Sequence, residues 1–376
     1  MEAFEKPRTK SLLEHFSEVE DFRASWKVAH PLPEVLLLVV CATIASCDDF
    51  DDIAAWGETH LAFLRRFLPY HYGVPGARWL NILMNRINPD LFSDCFMAWA
   101  TSFRPSLPSQ IAIDGKTSRH SYDNSTGKAA LHLVSAFATH ERLVLGQEAT
   151  TEKSNEITAI PVLLERLARK GALAGALVTI DAMGCNPRVT QSVLDHKADY
   201  LIGLKGNQQN LLHDVEALFN HSCLLFDTHT EHDKGHGRIE ERTVRVSTDV
   251  ARIKTEKLPH IAAIACVDCR IEKGATISNE RRYYISSRPM AASAFLAAIR
   301  SHWQIENALH WVLDVTFKDD LSRVRKGHGA KNMAVVRHFA LNLVRNAKDK
   351  KSVKTRRKLA GWDPDYLASL LVNLDS

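Results

Sequence analysis

Apolar residues recur at three- and four-residue spacing through Pro33–Ser46 and again through Asp52–Phe67, the stripe of an amphipathic helix. A proline- and glycine-containing break follows at Tyr70–Gly76. Residues 1–103 are therefore predicted to form a helical N-terminal domain. Its densest apolar run, Val35–Cys47, falls short of the roughly 20 residues needed to span a bilayer and is closed by Asp48, Asp49, Asp51 and Asp52. The run reads as a buried helix, and no membrane partner is expected.

Pro105 and Pro108 then flank Ser106 and Ser109 in a short polar linker, after which the pattern changes to strands. Ile111–Ile113, Leu131–Ala138 and Leu143–Glu148, with a turn at Thr139–Arg142, predict an antiparallel meander. Asn155 and Glu156 suit the entrance of a helix that starts at Ser154, runs along Ile157, Ile160, Leu163, Leu164 and Leu167 and stops at Gly171. Leu177–Ile180, a helix near Pro187–His196 and Tyr200–Leu204 complete a mixed α/β sheet whose later strands are parallel. Residues 206–290 break this rhythm. Asn207–Phe219 suits a helix, while Arg238–Val246, Ile261–Val267 and Arg282–Ser287 read as the strands of a β-rich insertion. Ala291–Leu313 and Ala330–Arg345 return to helix, and 348–376 is read as a basic C-terminal tail.

The chain has 376 residues, 45% hydrophobic and 24% charged, which excludes a disordered or collagen-like protein. Seven cysteines, odd in number and scattered, do not form a disulfide framework and suit a reducing compartment. Cys266 and Cys269 make a lone CxxC inside a strand-like run, where a structural role outweighs metal or redox use. The start, Met1–Lys10, has no secretory signal pattern. Net charge is only +4, yet Leu321–Ala360 carries 13 Lys and Arg against one acid, Asp349. Such a block fits either a polyanionic partner or a solvated terminal helix.

Two acids stand where apolar strands end: Asp114 in Ile-Ala-Ile-Asp-Gly-Lys and Asp181 in Val-Thr-Ile-Asp-Ala-Met. The ends of strands in open α/β sheets are where ligands reach the chain. Either Asp alone would more often be a turn former or helix cap. If the strands are neighbours, the carboxylates converge, and a divalent cation resolves their repulsion. A third acid, Glu306, shares a helical face with Ala298, His302 and His310. Zinc held by His302, Glu306 and His310 is a rival reading, at a spacing unlike the metalloprotease pattern.

Together, Ile111–Thr117, Leu131–Ser135, Thr151–Ile157, Thr179–Cys185, Asp199–Gln208, His236–Arg242 and Arg300–Asp314 resemble, in order and spacing, the DDE transposases of bacterial insertion sequences. The similarity is to the branch of the H-repeat-associated proteins, whose helical associated domain is matched by His30–Val35 and Asp51–Ile53. It implies an RNase H-like mixed sheet (104–347) with a β-rich insertion about 206–290. It also implies Asp114, Asp181 and Glu306 as a catalytic triad holding two Mg²⁺ ions, with Mn²⁺ as substitute. One ion would activate the attacking hydroxyl and the other stabilise the leaving oxygen. The implied substrates are double-stranded DNA, both terminal inverted repeats and target, handled in the bacterial cytoplasm at the nucleoid by a homodimer or higher assembly.

Where many relatives with such an insertion carry Tyr, Arg and Lys around the Glu, this chain has Ile299, His302 and Leu313. Arg300 and His310 are the expected replacements at phosphates, and the insertion holds no Trp for a flipped base. Expected DNA contacts are Lys116, Lys205, Arg238, Arg242, Arg300, His302, His310, Arg323 and Arg325. Two alternatives stay open from sequence: a DNA-binding relic without catalysis, and an RNase H-like nuclease on other DNA.

Overall fold

In the computed structural model, the described residues are 11–102, 107–122, 127–150, 156–221, 225–235, 237–253 and 258–372. The linker residues Pro105 and Ser106, the helix entrance at Ser154 and Asn155, and His236 of the matched motif lie outside them.

The N-terminal helices are α1 (Leu12–Ser17), α2 (Leu32–Ile44), α3 (Phe50–Thr59), α4 (Leu61–Leu64), α5 (Ala77–Arg86) and α6 (Pro89–Ser102). Every residue of α2 except Pro33 is buried, so the densest apolar run is a core helix, and no helix among the described residues is long and apolar enough to cross a membrane. The sheet strands and intervening helices follow as β1 (Gln110–Ser118), β2 (Leu131–Ala138), β3 (Leu143–Thr150), α7 (Glu156–Arg169), β4 (Leu177–Ile180), α8 (Pro187–Asp195) and β5 (Asp199–Leu204). Next come α9 (Gln209–Phe219), β6 (Asp227–Gly235), β7 (Arg238–Ser247), β8 (Ala263–Lys273), β9 (Thr276–Ser286) and α10 (Ala292–His302). A π-helical turn (Ile305–His310), α11 (Trp311–Val315), α12 (Gly329–Arg345), α13 (Val353–Trp362) and α14 (Pro364–Val372) close the chain.

Among the described residues, nine strands form one mixed sheet in the order β3-β2-β1-β4-β5-β9-β8-β7-β6. The meander β1–β3 is antiparallel, and β1, β4 and β5 are parallel, as the strand–helix–strand rhythm requires. The strands of the insertion are no separate module: β9 pairs with β5, and the sheet continues through them. Strand β6 escaped the sequence reading because Asp-Thr-His-Thr-Glu-His-Asp-Lys-Gly has no apolar alternation. It is an exposed edge strand held by backbone pairing to β7.

The helical layer is built from both ends of the chain. Phe339 of α12 packs against Phe16, Phe92, Phe96 and Trp99, and Asn342 exchanges two hydrogen bonds with the backbone of Val144 on β3 at 3.0 and 2.8 Å. The basic C-terminal stretch is folded, not a free tail. Arg356 donates to the carbonyls of Val344 and Arg345 and to Asp349. Arg357 reaches the carbonyl of Thr43 and stacks on Phe317. Two of the charges that suggested a polyanion partner therefore cap helix carbonyls in the interior.

On β8, Cys266 and Cys269 lie three residues apart, so the alternation of a strand sends them to opposite faces and no shared ligand is possible. Cys266 is buried and accepts from Arg245 at 3.4 Å.

Candidate active site

The parallel pairing of β1 with β4 matches Ile113 to Ile180, so Asp114 and Asp181 are the residues that follow the last paired positions of two adjacent strands. The condition for convergence is thus met by the register itself. The apolar part of β1 ends at Ile113, but the strand runs on past Asp114 to Ser118 against β2. Asp181 leaves β4 into a short 3-10 turn, its Oδ1 accepting from the backbone of Met183 at 2.9 Å and Gly184 at 3.3 Å. Both bonds fall on one oxygen, which leaves Oδ2 for a ligand. Asp114 Oδ1 accepts from the Gly115 N–H at 2.9 Å.

Glu306 comes from a separate element, the π-helical turn between α10 and α11. The long helix expected over Ala291–Leu313 is interrupted there. Single-turn π segments inside helices gather at functional sites because the widened turn re-aims a side chain. Asp114, Asp181 and Glu306 all line one cleft of about 600 Å³, with Lys205, Arg282 and Trp303 also in its wall.

The electrostatics show that these acids feel one another. Burial, with Asp181, Glu306 and Glu156 adding to it, raises Asp114 to about 7 against the help of the Gly115 N–H. Glu306 is pushed up by burial and by Asp181, with Arg282 opposing. The protein leaves this carboxylate charge largely uncompensated, and a hard divalent cation is the group that oxygen donors of this kind suit.

Another group of acids looks metal-like and is not. Oxygens of Asp314, Asp319 and Asp320 lie within 4.8 Å of one another, the one such cluster among the described residues. The Lys116 ammonium already fills it, 2.7 Å from Asp314, 2.9 Å from Asp319 and 3.3 Å from Asp320. Asp319 also takes a hydrogen bond from Ser118 at 2.8 Å and the guanidinium of Arg337 at 2.8 Å. Lys116, expected at a phosphate, is spent on this buried knot.

The other expected contacts divide. Lys205 and Arg323 are exposed, and Lys205 stands at the cleft. Arg325 donates to the His120 carbonyl at 3.1 Å and lies over Tyr122. Arg300 bridges α10 to β6 through Glu231 and Asp233, at 2.7 and 2.9 Å. Arg238 and Arg242 both pair with Glu240 on their own strand. Both histidines are half-buried, and His302 lines the cleft. His302 Nδ1 is 3.0 Å from Thr179 Oγ1, and His310 Nδ1 is 3.5 Å from Asp114 Oδ2 with its Nε2 buried and unpartnered. Burial lowers both to about 4, so both are neutral near pH 7. Among the described residues, their ring nitrogens and the Glu306 carboxylate do not form a group with all ligand atoms within 4.8 Å, as a zinc site shared by the three requires.

Sequence reasoning missed the part of three residues in the site. His132 and Glu156, bonded at 2.7 Å, press against Gly115, where a Cβ would collide with Glu156 Oε1 and with His132 Nε2. Arg282 enters from β9 with its guanidinium 5.0 Å from the centre of the Trp303 ring. No spacing rule could have found Arg282, because Trp303 and Glu306, which it meets at the cleft, are more than 20 residues away in sequence.

Residues 13–100 match the family described as DDE_Tnp_1-associated, and residues 105–343 match the Transposase DDE domain. The chain is 37% identical to the Escherichia coli K12 protein named "H repeat-associated putative transposase YhhI", over 96% of this chain and 98% of that one. It is equally 37% identical to the "Putative transposase YncI" of Escherichia coli O157:H7, over 97% and 95%. Among solved structures, the cryo-EM structure of the piggyBac transposase synaptic complex with hairpin DNA aligns with a TM-score of 0.41 and 11% identity, covering 96% of this chain and 76% of that chain.

Proposed function

This chain belongs to the DDE transposase family, and from that premise we propose that it cuts DNA at the ends of its own element and joins the freed 3′ ends to target DNA. The observation that supports the reading most is the register pairing Ile113 with Ile180, which sets Asp114 beside Asp181 at the cleft that Glu306 also lines. In this reading β1–β5 are the RNase H-like core of residues 104–347, with residues 1–103 as the associated domain and 206–290 as the insertion.

Asp114, Asp181 and Glu306 would hold the divalent cations, Mg²⁺ in the cell with Mn²⁺ as substitute. When bound, such ions activate an attacking hydroxyl and stabilise a leaving oxygen in phosphodiester displacement. The chain's own part is to fix the ligands. The Gly115 N–H holds one oxygen of Asp114, and the His310 ring stands beside the other. The 3-10 turn pins Asp181 through Met183 and Gly184. The π-helical turn aims Glu306 at them from a different layer. Preorganised ligands of this kind lower the reorganisation needed when the metals and the DNA arrive.

Duplex DNA is the partner in this proposal, and both transposon ends must be held at once, which requires at least a dimer on DNA. The site fits catalysis better than a DNA-binding relic because all three acids are present and line one cleft.

Calorimetric titration of Mn²⁺ into the protein tests the metal site directly. Wild type should bind Mn²⁺, and Asp181→Asn should weaken that binding at least tenfold while melting at the same temperature. Equal binding by the two proteins would contradict the triad.

A further inference from the structure

Next to Glu306 the cleft holds a cation that comes from another part of the chain. Position 302, four residues before Glu306, is a neutral histidine engaged with Thr179. The guanidinium facing Glu306 belongs instead to Arg282, carried in by β9 where Leu204 of β5 pairs with Tyr283. Arg282 lies over the Trp303 ring, and Trp303 precedes Glu306 by three residues at the start of the π-helical turn. A flat ring under a guanidinium restricts its movement and leaves its donor edge free, which lowers the entropy lost when it binds a planar or tetrahedral anion.

In the free protein that donor edge is taken by Glu280, Nε to Oε1 at 2.7 Å and Nη2 to Oε2 at 2.8 Å. The pair is half open to solvent, with side-chain exposures of 38% and 51%, so solvent screens it and a competing anion can reach the same donor edge. Neighbouring Arg281 is not equivalent: it is turned to Asp268 and Asn220.

We propose that Arg282 is the phosphate-binding residue of the active cleft, stacked on Trp303 and held by Glu280 until a DNA backbone phosphate beside the scissile bond displaces that carboxylate. The proposal rests on the reading of the cleft as the catalytic site. It assigns the insertion a function: its last strand supplies at the cleft the cation that position 302 does not.

The test is a methylphosphonate scan, which removes one phosphate charge at a time from a duplex carrying the DNA that flanks the gene. Binding is measured in Ca²⁺ for wild type, Arg282→Ala and Arg282→Lys. One position near the cut should weaken wild type about tenfold, the scale of a lost charge-assisted hydrogen bond, and should not weaken Arg282→Ala further. Arg282→Lys should keep part of that sensitivity, and Glu280→Gln should bind the unmodified duplex more tightly than wild type. A scan in which every position affects wild type and Arg282→Ala alike would overturn the proposal, as would weaker binding by Glu280→Gln. Failure of the catalytic reading shows separately, as wild-type protein that binds with this pattern and cuts nothing in Mg²⁺.

Discussion

Lys116 Nζ lies 2.9 Å from Asp319 Oδ2, and this buried contact ties β1, two residues past Asp114, to the segment that follows the helix bearing Glu306. Side-chain exposures of 11% and 5% place the pair in the interior. Arg337 and Ser118 complete the knot, so the two halves of the candidate site are joined behind it by charge as well as by packing.

Removing one member of a buried ion pair leaves the others desolvated without a counter-charge, at a cost of about 3–5 kcal/mol. Lys116→Met should lower unfolding stability on that scale in urea titrations. Its effect on the salt dependence of DNA binding should be negligible. A flatter salt slope with unchanged stability would return Lys116 to the DNA surface.

Acid should destabilise the fold through His338, which is buried on α12. Burial lowers it to about 3, outweighing the nearby Asp319 carboxylate. Its folded value is below the unfolded value near 6.5, so the unfolded chain takes up the proton first. The stabilisation is full above about pH 6.5 and falls as pH drops toward 3, by up to about 1.4 kcal/mol per unit. Asp319 adds a second, more acidic loss. Burial would raise it, but Arg337 and Lys116 prevail and hold it at about 2, so its contribution disappears between about pH 4 and 2. Thermal melts of wild type and His338→Gln from pH 7 to 4 should converge as pH falls; parallel curves would remove His338 from the account.

Gly115→Ala should be poorly tolerated, because the new methyl group meets Glu156 and His132. Overpacking costs about 1–3 kcal/mol, and it falls next to Asp114. Cleavage should drop more than stability predicts, measured as rate per folded molecule at a temperature where both proteins are native. A fully active Gly115→Ala would show that the His132–Glu156 pair can yield.

Much of the fold was legible because the signals were local. The α2 run, the meander and the β4–α8–β5 rhythm all rest on apolar spacing, and the structure returns them nearly at the predicted bounds. The pairing of Asp114 with Asp181 was legible only as a condition, since strand order is not written in any window of sequence. Strand β6 was invisible because its stability comes from backbone pairing at an edge. The partners of the cations were not legible: Lys116, Arg300 and Arg356 are charges in sequence, but which carboxylate or carbonyl claims each is a long-range property of the fold.

Charge at the C-terminal surface should still contribute to DNA binding, through the lysines that are not spent internally. Lys350, Lys354 and Lys358 are exposed, whereas Arg356 and Arg357 are buried. Replacing the three lysines by Glu should flatten the dependence of log affinity on log salt by roughly 0.9 for each lost phosphate contact. Truncation after Arg345 should instead unfold the helical layer, because α13 packs on α2 and α12. An unchanged slope in the triple variant would make this face a bystander.

Mapping every strand break that the protein makes in the DNA flanking its own gene, in Mg²⁺, Mn²⁺ or Ca²⁺, beside Asp181→Asn, separates a transposase from a DNA-binding relic. The account predicts cuts at inverted repeats in Mg²⁺ or Mn²⁺, none in Ca²⁺, and none by Asp181→Asn although it folds and binds the same DNA. Metal-dependent cutting by Asp181→Asn, or tight binding by folded, metal-loaded wild type without any cut, would contradict it.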